Sequence, residues 1–216
     1  MKVLVVDVGG THVKLLATGR RVPLELDSGP TLTPRRLVHD VLAATRGWRF
    51  DAITLGYPGP VRDGRPALEP RHLARGWRRF GFERAFGKPV RILNDAAMQA
   101  LGSYDGGRML FLGLGTGLGT ALVADGQLLA LELGHLPYQD GRSFEDFVGV
   151  RGLERLGRAA WRRHVARVAE LLRLALVADH VVLGGGNVHK LERMPPRCRR
   201  GDNRNAFRGG MRVWER

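Results

Sequence analysis

Short apolar runs stopped by glycine set the rhythm of the chain. Val3 to Val8 is continuous and rich in β-branched residues, the pattern of a strand covered on both faces. It ends in Asp7-Val8-Gly9-Gly10-Thr11, and apolar residues resume in Val13-Lys14-Leu15-Leu16-Ala17, so the pattern predicts a β-hairpin. Leu24-Glu25-Leu26 adds a shorter strand. Thr33 reads as an N-cap with Pro34 at the first helical position, opening a helix to Ala44. A buried strand is expected over Ala52 to Leu55, with irregular backbone at Gly56-Tyr57-Pro58-Gly59-Pro60. Residues 61–87 are rich in Pro, Arg and Trp and show weak periodicity. Pro89 to Leu93 predicts another strand, and Asn94-Asp95 opens a helix to Leu101.

After Gly102 the pattern restarts. Met109 to Leu112 predicts a strand, Gly113 to Gly119 a glycine-dense turn, Thr120 to Ala124 a strand, and Asp125-Gly126 a tight hairpin turn. This strand–turn–strand echoes the one at residues 3–17. The echo predicts two related α/β domains, over residues 1–100 and 101–216. Arg151 to Val177 carries apolar residues at helical spacing, among them Leu153, Leu156, Ala160, Val168, Leu171, Leu172 and Ala175. Val181 to Leu183 is a last buried strand, followed by Gly184-Gly185-Gly186-Asn187, and Asn203 to Trp214 reads as a closing helix.

Composition narrows the classes. With 216 residues, 44% hydrophobic and 26% charged, the chain is globular and long enough for two cores. The formal charge of +14 points first to polyanions. However, 31 of the 35 basic residues are Arg, which reads as a compositional bias more than a charged groove. An Arg-rich helix, Arg151 to Arg173, with Arg197, Arg199 and Arg200, is the best nucleic-acid candidate. No aromatic-interleaved basic motif accompanies it, so no specific nucleic-acid partner is expected. Cys198 is the single cysteine, which excludes an internal disulfide and a thiolate zinc cage and fits a reducing cytoplasm. The N-terminal run reads as a strand, not a targeting peptide, and no stretch reaches the ~20 apolar residues of a membrane span.

Three glycine clusters close buried strands: Gly9-Gly10, Gly115 to Gly119, and Gly184 to Gly186. Glycine lets backbone N–H groups approach a ligand and form an anion-binding concavity, although any one cluster is equally well a tight turn. Gly113-Leu114-Gly115-Thr116-Gly117-Leu118-Gly119 is followed by a strand pattern and not by a helix, so it is not a dinucleotide fingerprint. What remains is a phosphate site made from two hairpin turns. Asp7, beside the first turn, is placed to hold Mg²⁺ against phosphate oxygens, directly or through water. Asp95 is either a helix cap or a general base for an arriving phosphoryl group; spacing leaves both open. Glu132 and His135, in Glu-Leu-Gly-His, suit sugar hydroxyls or a purely structural pairing.

Taken in order, six segments resemble the ROK sugar-kinase family, nearest to its short polyphosphate-glucokinase-like members: Asp7-Val8-Gly9-Gly10-Thr11-His12-Val13-Lys14, Gly56-Tyr57-Pro58-Gly59, Asn94-Asp95-Ala96, Leu114-Gly115-Thr116-Gly117-Leu118-Gly119, Glu132-Leu133-Gly134-His135 and Gly184-Gly185-Gly186-Asn187. The resemblance implies an actin/hexokinase-like (ribonuclease H-like) fold, two α/β domains about a cleft, in a cytoplasmic homodimer. It implies a hexose kinase, with glucose the first candidate acceptor and ATP or polyphosphate the donor, using Mg²⁺. On that pattern Asp7, Gly9, Gly10, Thr11 and Lys14, with Gly115, Thr116, Gly117 and Gly119, would cradle donor phosphates. Gly184, Gly185, Gly186 and Asn187 would border the nucleotide. Asp95 would be the catalytic base, and Asn94, Glu132 and His135 would hold the sugar with the backbone at Pro58 and Gly59.

The chain also departs from the family pattern. Larger relatives carry a Cys-rich zinc motif after the Glu-x-Gly-His, whereas Leu136 to Val148 contains no cysteine. No zinc is therefore expected, and Glu145 is the candidate for the acid that ends that motif. Arg71-His72-Leu73 stands where the family has Asn-Leu, making His72 a substitute sugar contact. A non-catalytic sugar sensor is the alternative within the family. Such regulators place a helix-turn-helix first, and here the phosphate turn begins at residue 7.

Overall fold

A computed structural model describes residues 1–215. The chain divides into two units: residues 1–98 with 206–216, and residues 99–205. The closing helix thus groups with the N-terminal unit, whereas the sequence pattern assigns everything after residue 100 to a second domain. No helix among the described residues is long and apolar enough to cross a membrane.

The first unit begins with β1 (Val3–Val8), β2 (His12–Ala17) and β3 (Leu24–Asp27). α1 (Pro34–Ala44) follows, with Thr33 capping it by accepting the Arg36 N–H, as the Thr-Pro pair predicts. Then come β4 (Ala52–Tyr57), a short hairpin of β5 (Val61–Arg62) and β6 (Arg65–Pro66), α2 (Phe82–Phe86), β7 (Val90–Asn94) and α3 (Asp95–Ser103). The sheet order is β3-β2-β1-β4-β7, antiparallel through β1 and parallel from β1 to β7.

The continuous apolar run of β1 is explained by cover on both faces. Leu4, Val6 and Val8 join a core with Leu37, Val41, Trp77 and Phe82, whereas Val3 and Val5 pack with Met98, Ala206 and Phe207. One sequence expectation is corrected here. β4 runs on through Gly56 and Tyr57, because these residues pair with Leu93 and Asn94 of β7, and Gly56 also pairs with Asp7 of β1. Irregular backbone starts only at Pro58.

The second unit holds β8 (Met109–Leu114), β9 (Leu118–Ala124), β10 (Gln127–Leu131), the hairpin β11 (Pro137–Gln139) and β12 (Arg142–Ser143), α4 (Phe144–Val148), α5 (Val150–Ala175), β13 (His180–Gly184) and β14 (Cys198–Arg200). Its sheet order, β10-β9-β8-β13-β14, repeats that of the first unit. The pairing Gly113↔Gly119 and Leu114↔Leu118 extends both hairpin strands, so the glycine turn is only Gly115 to Gly117, shorter than the sequence pattern suggests. β14 and the β11–β12 hairpin escape that pattern as well, being too short to show a period. α5 is broken at Gly157, which takes φ 72° and ψ 166°, a conformation that glycine tolerates. α6 (Asn205–Arg212) closes the chain, shorter at both ends than expected.

Arginines of the expected nucleic-acid patch have internal partners: on α5, Arg173 forks onto Glu170 and Arg162 pairs with Glu192 at 2.7 Å, and on β14, Arg199 pairs with Asp105 at 3.0 Å.

Candidate active site

In the first unit, parallel pairing aligns the C-terminal ends of β1, β4 and β7, and three candidate residues collect there. Asp7 pairs with Lys14 across the hairpin and with Gly56 alongside. The absent side chain of Gly56 is what makes room: a Cβ there would lie 3.0 Å from Asp7 Oδ1 and would collide with Met98. Burial pushes the Asp7 carboxyl up to about 7; the neighbouring Asp95 charge adds to this and Lys14 opposes it. Two carboxylates that repel each other at a strand end form a donor set that a divalent cation would relieve, so these residues fit Mg²⁺. Lys14 also reaches Glu25 at 3.4 Å.

The first glycine turn is tightly self-bonded. Gly9 N–H donates to His12 O at 2.9 Å, and Ser28 Oγ donates to Gly9 O at 2.7 Å. Gly9 therefore closes the turn, and Thr11 O accepts the Ser28 N–H at 3.0 Å. A Cβ on Gly10 would stand 3.6 Å from His72 Cβ, which places His72 beside this turn.

Asn94 caps α3, accepting the Ala96 and Ala97 N–H groups at 2.9 and 3.1 Å. Its Nδ2 donates to Gly59 O at 3.1 Å, fixing the loop after Pro58. Asp95 also accepts the Ala96 N–H, at 2.7 Å.

In the second unit, Gly115-Thr116-Gly117 is gripped from behind. Asn187 N–H donates to Leu114 O and its Nδ2 to Gly115 O, at 2.9 and 3.2 Å, while Val150 N–H reaches Gly115 O and Thr116 O. Asn187 thus ties the loop expected on the nucleotide side to the turn at Gly115 to Gly117. Gly184 and Gly185 serve close packing: a Cβ would strike the Phe111 ring at the first and the Leu114 backbone at the second, where φ is 81°. At Gly115 and Gly186 the space around a Cβ is open. Gly119 lies inside β9, paired with Gly113, and is part of the strand instead of the turn.

Glu132, His135 and Glu145 come together. His135 Nε2 lies 3.6 Å from Glu132 Oε2, and its Nδ1 lies 3.7 Å from Glu145 Oε1. Glu145, half-buried at 13% side-chain exposure, also faces Arg151 Nη2 at 3.5 Å. Its second oxygen sits over Gly117. Among the described residues no group of three His, Cys, Asp or Glu is arranged to hold a metal ion. The cluster is a set of neighbouring hydrogen-bonding groups.

Arg151 was not legible as a site residue, because it meets Glu145 across the break between two helices, where no spacing rule applies. Nor was the aromatic clamp on α4: Tyr138 packs on Phe144 and Phe147 at 5.0 Å, and its hydroxyl lies 3.1 Å from His164 Nδ1. With the Ser143–Asp146 capping box, this clamp fixes the helix that carries Glu145.

No family model matches the chain. Among curated proteins, it is 28% identical over 217 residues to the polyphosphate glucokinase of Mycobacterium leprae (strain TN), covering 88% of this chain and 65% of that protein, slightly under two thirds of its length. Among solved structures, the inorganic polyphosphate/ATP-glucomannokinase from Arthrobacter sp. strain KM matches with a TM-score of 0.80 at 21% identity, over 98% of this chain and 97% of the other. A ROK family glucokinase from Streptomyces griseus in complex with glucose and AMPPNP matches at 0.77 and 19%, over 99% of each. The fold is the actin/hexokinase-like α/β fold, and the resemblance to ROK sugar kinases holds in sequence and in fold.

Proposed function

We propose that the protein is a hexose kinase, transferring a phosphoryl group from ATP or polyphosphate to a sugar hydroxyl, with glucose as the first candidate acceptor. The observation that carries this reading is the junction of β7 and α3. There Asn94 ties the Gly59 carbonyl to the start of the helix, and Asp95 is close enough to Asp7 for its charge to raise the Asp7 carboxyl.

In the proposed reaction, Asp95 accepts the proton of the acceptor hydroxyl as the new oxygen–phosphorus bond forms and the bridging bond to the donor's remaining phosphates breaks. Glu132, His135 and Glu145 hold the other hydroxyls, so that one hydroxyl is presented in a single orientation. Backbone N–H groups at Gly10 and Thr11, and at the turn from Gly115 to Gly117, receive donor phosphates. Asp7 is the side chain that would hold Mg²⁺, whose chemistry when bound is neutralisation of phosphate charge.

A coupled assay tests the reading: purified protein with glucose, mannose or N-acetylhexosamines, and ATP or polyphosphate, with added Mg²⁺. Turnover of a hexose is expected, with Asp95→Asn reducing kcat by about 10²–10⁴-fold while the fold persists. Full activity in Asp95→Asn overturns the assignment of the base, and no turnover with any pair overturns the kinase reading. Sedimentation of the same preparation tests the homodimer that the family resemblance implies.

A further inference from the structure

The β5–β6 hairpin and the segment before α2 enclose an open groove of about 600 Å³ whose chemistry is almost entirely guanidinium. Arg62 and Arg65 of the hairpin line it together with Pro66 and Ala67, and Arg78 and Arg79 line it from the later segment. Asp63 is the only acid lining it. Its contact with Arg62 is a loose 3.8 Å pair with both side chains more than 80% exposed. Among the described residues, no ion pair engages Arg65, Arg78 or Arg79.

The walls are built, not floppy. Asp63 and Gly64 both take positive φ, 51° and 68°, setting the tight turn that points Arg62 and Arg65 the same way. On the other wall, Glu69 accepts the backbone N–H groups of Gly76, Trp77 and Arg78 at 2.9, 3.0 and 3.4 Å. Trp77 is fully buried, anchoring that segment in the core. Glu69 also feels the Arg78 charge and offsets part of it, whereas Arg65 and Arg79 are exposed and enter no ion pair among the described residues.

Four planar guanidinium forks over one open groove exceed what a single phosphate can neutralise, and each fork matches a pair of phosphate oxygens. No aromatic side chain lines the groove, so it lacks the stacking platforms by which single-stranded nucleic acid is held. We infer that this groove is a binding site for a linear phosphate chain without bases, namely inorganic polyphosphate. It deepens the donor side of the function proposed above, on which its role in phosphoryl transfer rests; binding of the chain does not depend on that function. Connectivity favours the link, since Val61 follows directly on Pro58-Gly59-Pro60, the loop that Asn94 holds.

The test titrates the full chain with long-chain inorganic polyphosphate without sugar, then repeats the titration with the triple variant Arg65→Gln, Arg78→Gln, Arg79→Gln. A control triple, Arg158→Gln, Arg193→Gln, Arg208→Gln, removes the same charge from exposed sites elsewhere. The groove variant is expected to bind at least about tenfold more weakly, with a salt dependence shallower by roughly two to three counterions. The control is expected to keep the parent affinity, and ATP-dependent hexose phosphorylation to be unchanged in the groove variant. Equal losses in the two triples, or parent-like affinity in the groove variant, overturn the site. Single-stranded RNA of matched charge displacing polyphosphate on equal terms overturns the choice of ligand. Because binding is read without turnover, a failed kinase assay leaves this result standing.

Discussion

Glu145 lies directly over Gly117, its carboxylate occupying the place that a side chain on residue 117 would need. The acid expected to hold a sugar hydroxyl and the turn expected to receive phosphate are therefore in van der Waals contact. Gly117→Ala requires no unusual backbone, yet it drives Glu145 away from His135. A fall of about tenfold or more in kcat/KM for the hexose is expected, equivalent to roughly 1.4 kcal/mol of transition-state stabilisation. In a Glu145→Gln background the same substitution should cost much less, because the displaced interaction is already gone. Additive losses in the double variant would rule out the coupling.

Asn94 joins two parts of the site through one amide. Asn94→Ala removes the α3 cap and the tie to Gly59, and should cost about 1 kcal/mol in stability along with most of the activity. Asn94→Asp keeps the capping oxygen but not the donor to Gly59 O. It should recover the stability and not the KM for sugar, which denaturant titration and steady-state kinetics separate.

Thr54 is fully buried and serves the C-terminus twice: its hydroxyl donates to Gly210 O at 2.6 Å and accepts Trp214 Nε1–H at 2.8 Å. Thr54→Val preserves shape while leaving both partners unpaired, an expected loss of about 1–3 kcal/mol. Thr54→Ser should lose less. Urea midpoints of the three proteins check the order, and equal midpoints for the parent and the valine variant would contradict it.

His164 gives the stability a pH dependence with a defined sign. Burial, then the charges of Arg163, Arg167 and Arg155, hold its imidazole below the ordinary 6.5, with Asp140 opposing. The unfolded chain thus binds this proton more tightly than the folded one. The contribution is complete above pH 6.5 and is lost as pH falls below it. Unfolding measured between about pH 7.5 and about pH 5.5 should show stability dropping toward acid, with a flatter profile in His164→Gln. An unchanged slope in that variant would assign the dependence to other groups.

The legibility of the site follows how local each signal is. Thr33-Pro34 announces α1 because a cap is written in adjacent residues. β1 announces itself because cover on both faces leaves no polar position. The glycine clusters announce turns, but not what packs against them: Gly184 and Gly185 let the chain pass close to Phe111 and Leu114, and Asn187 braces a turn 72 residues away. The groove of Arg62, Arg65, Arg78 and Arg79 was hidden within a general excess of arginine, since only folding brings these four onto one surface.

The sequence by itself determined the repeated strand–turn–strand units, the order of the motifs and the residue types that suit phosphate and hydroxyl binding, because hydrophobic period, caps and glycine turns are properties of neighbouring residues. Only the tertiary structure decided that α6 belongs with the first sheet, that Glu145 covers Gly117, and that Asp95 perturbs Asp7. Each of these joins residues distant in the chain, and such proximity is set by packing and strand pairing, which no local pattern encodes.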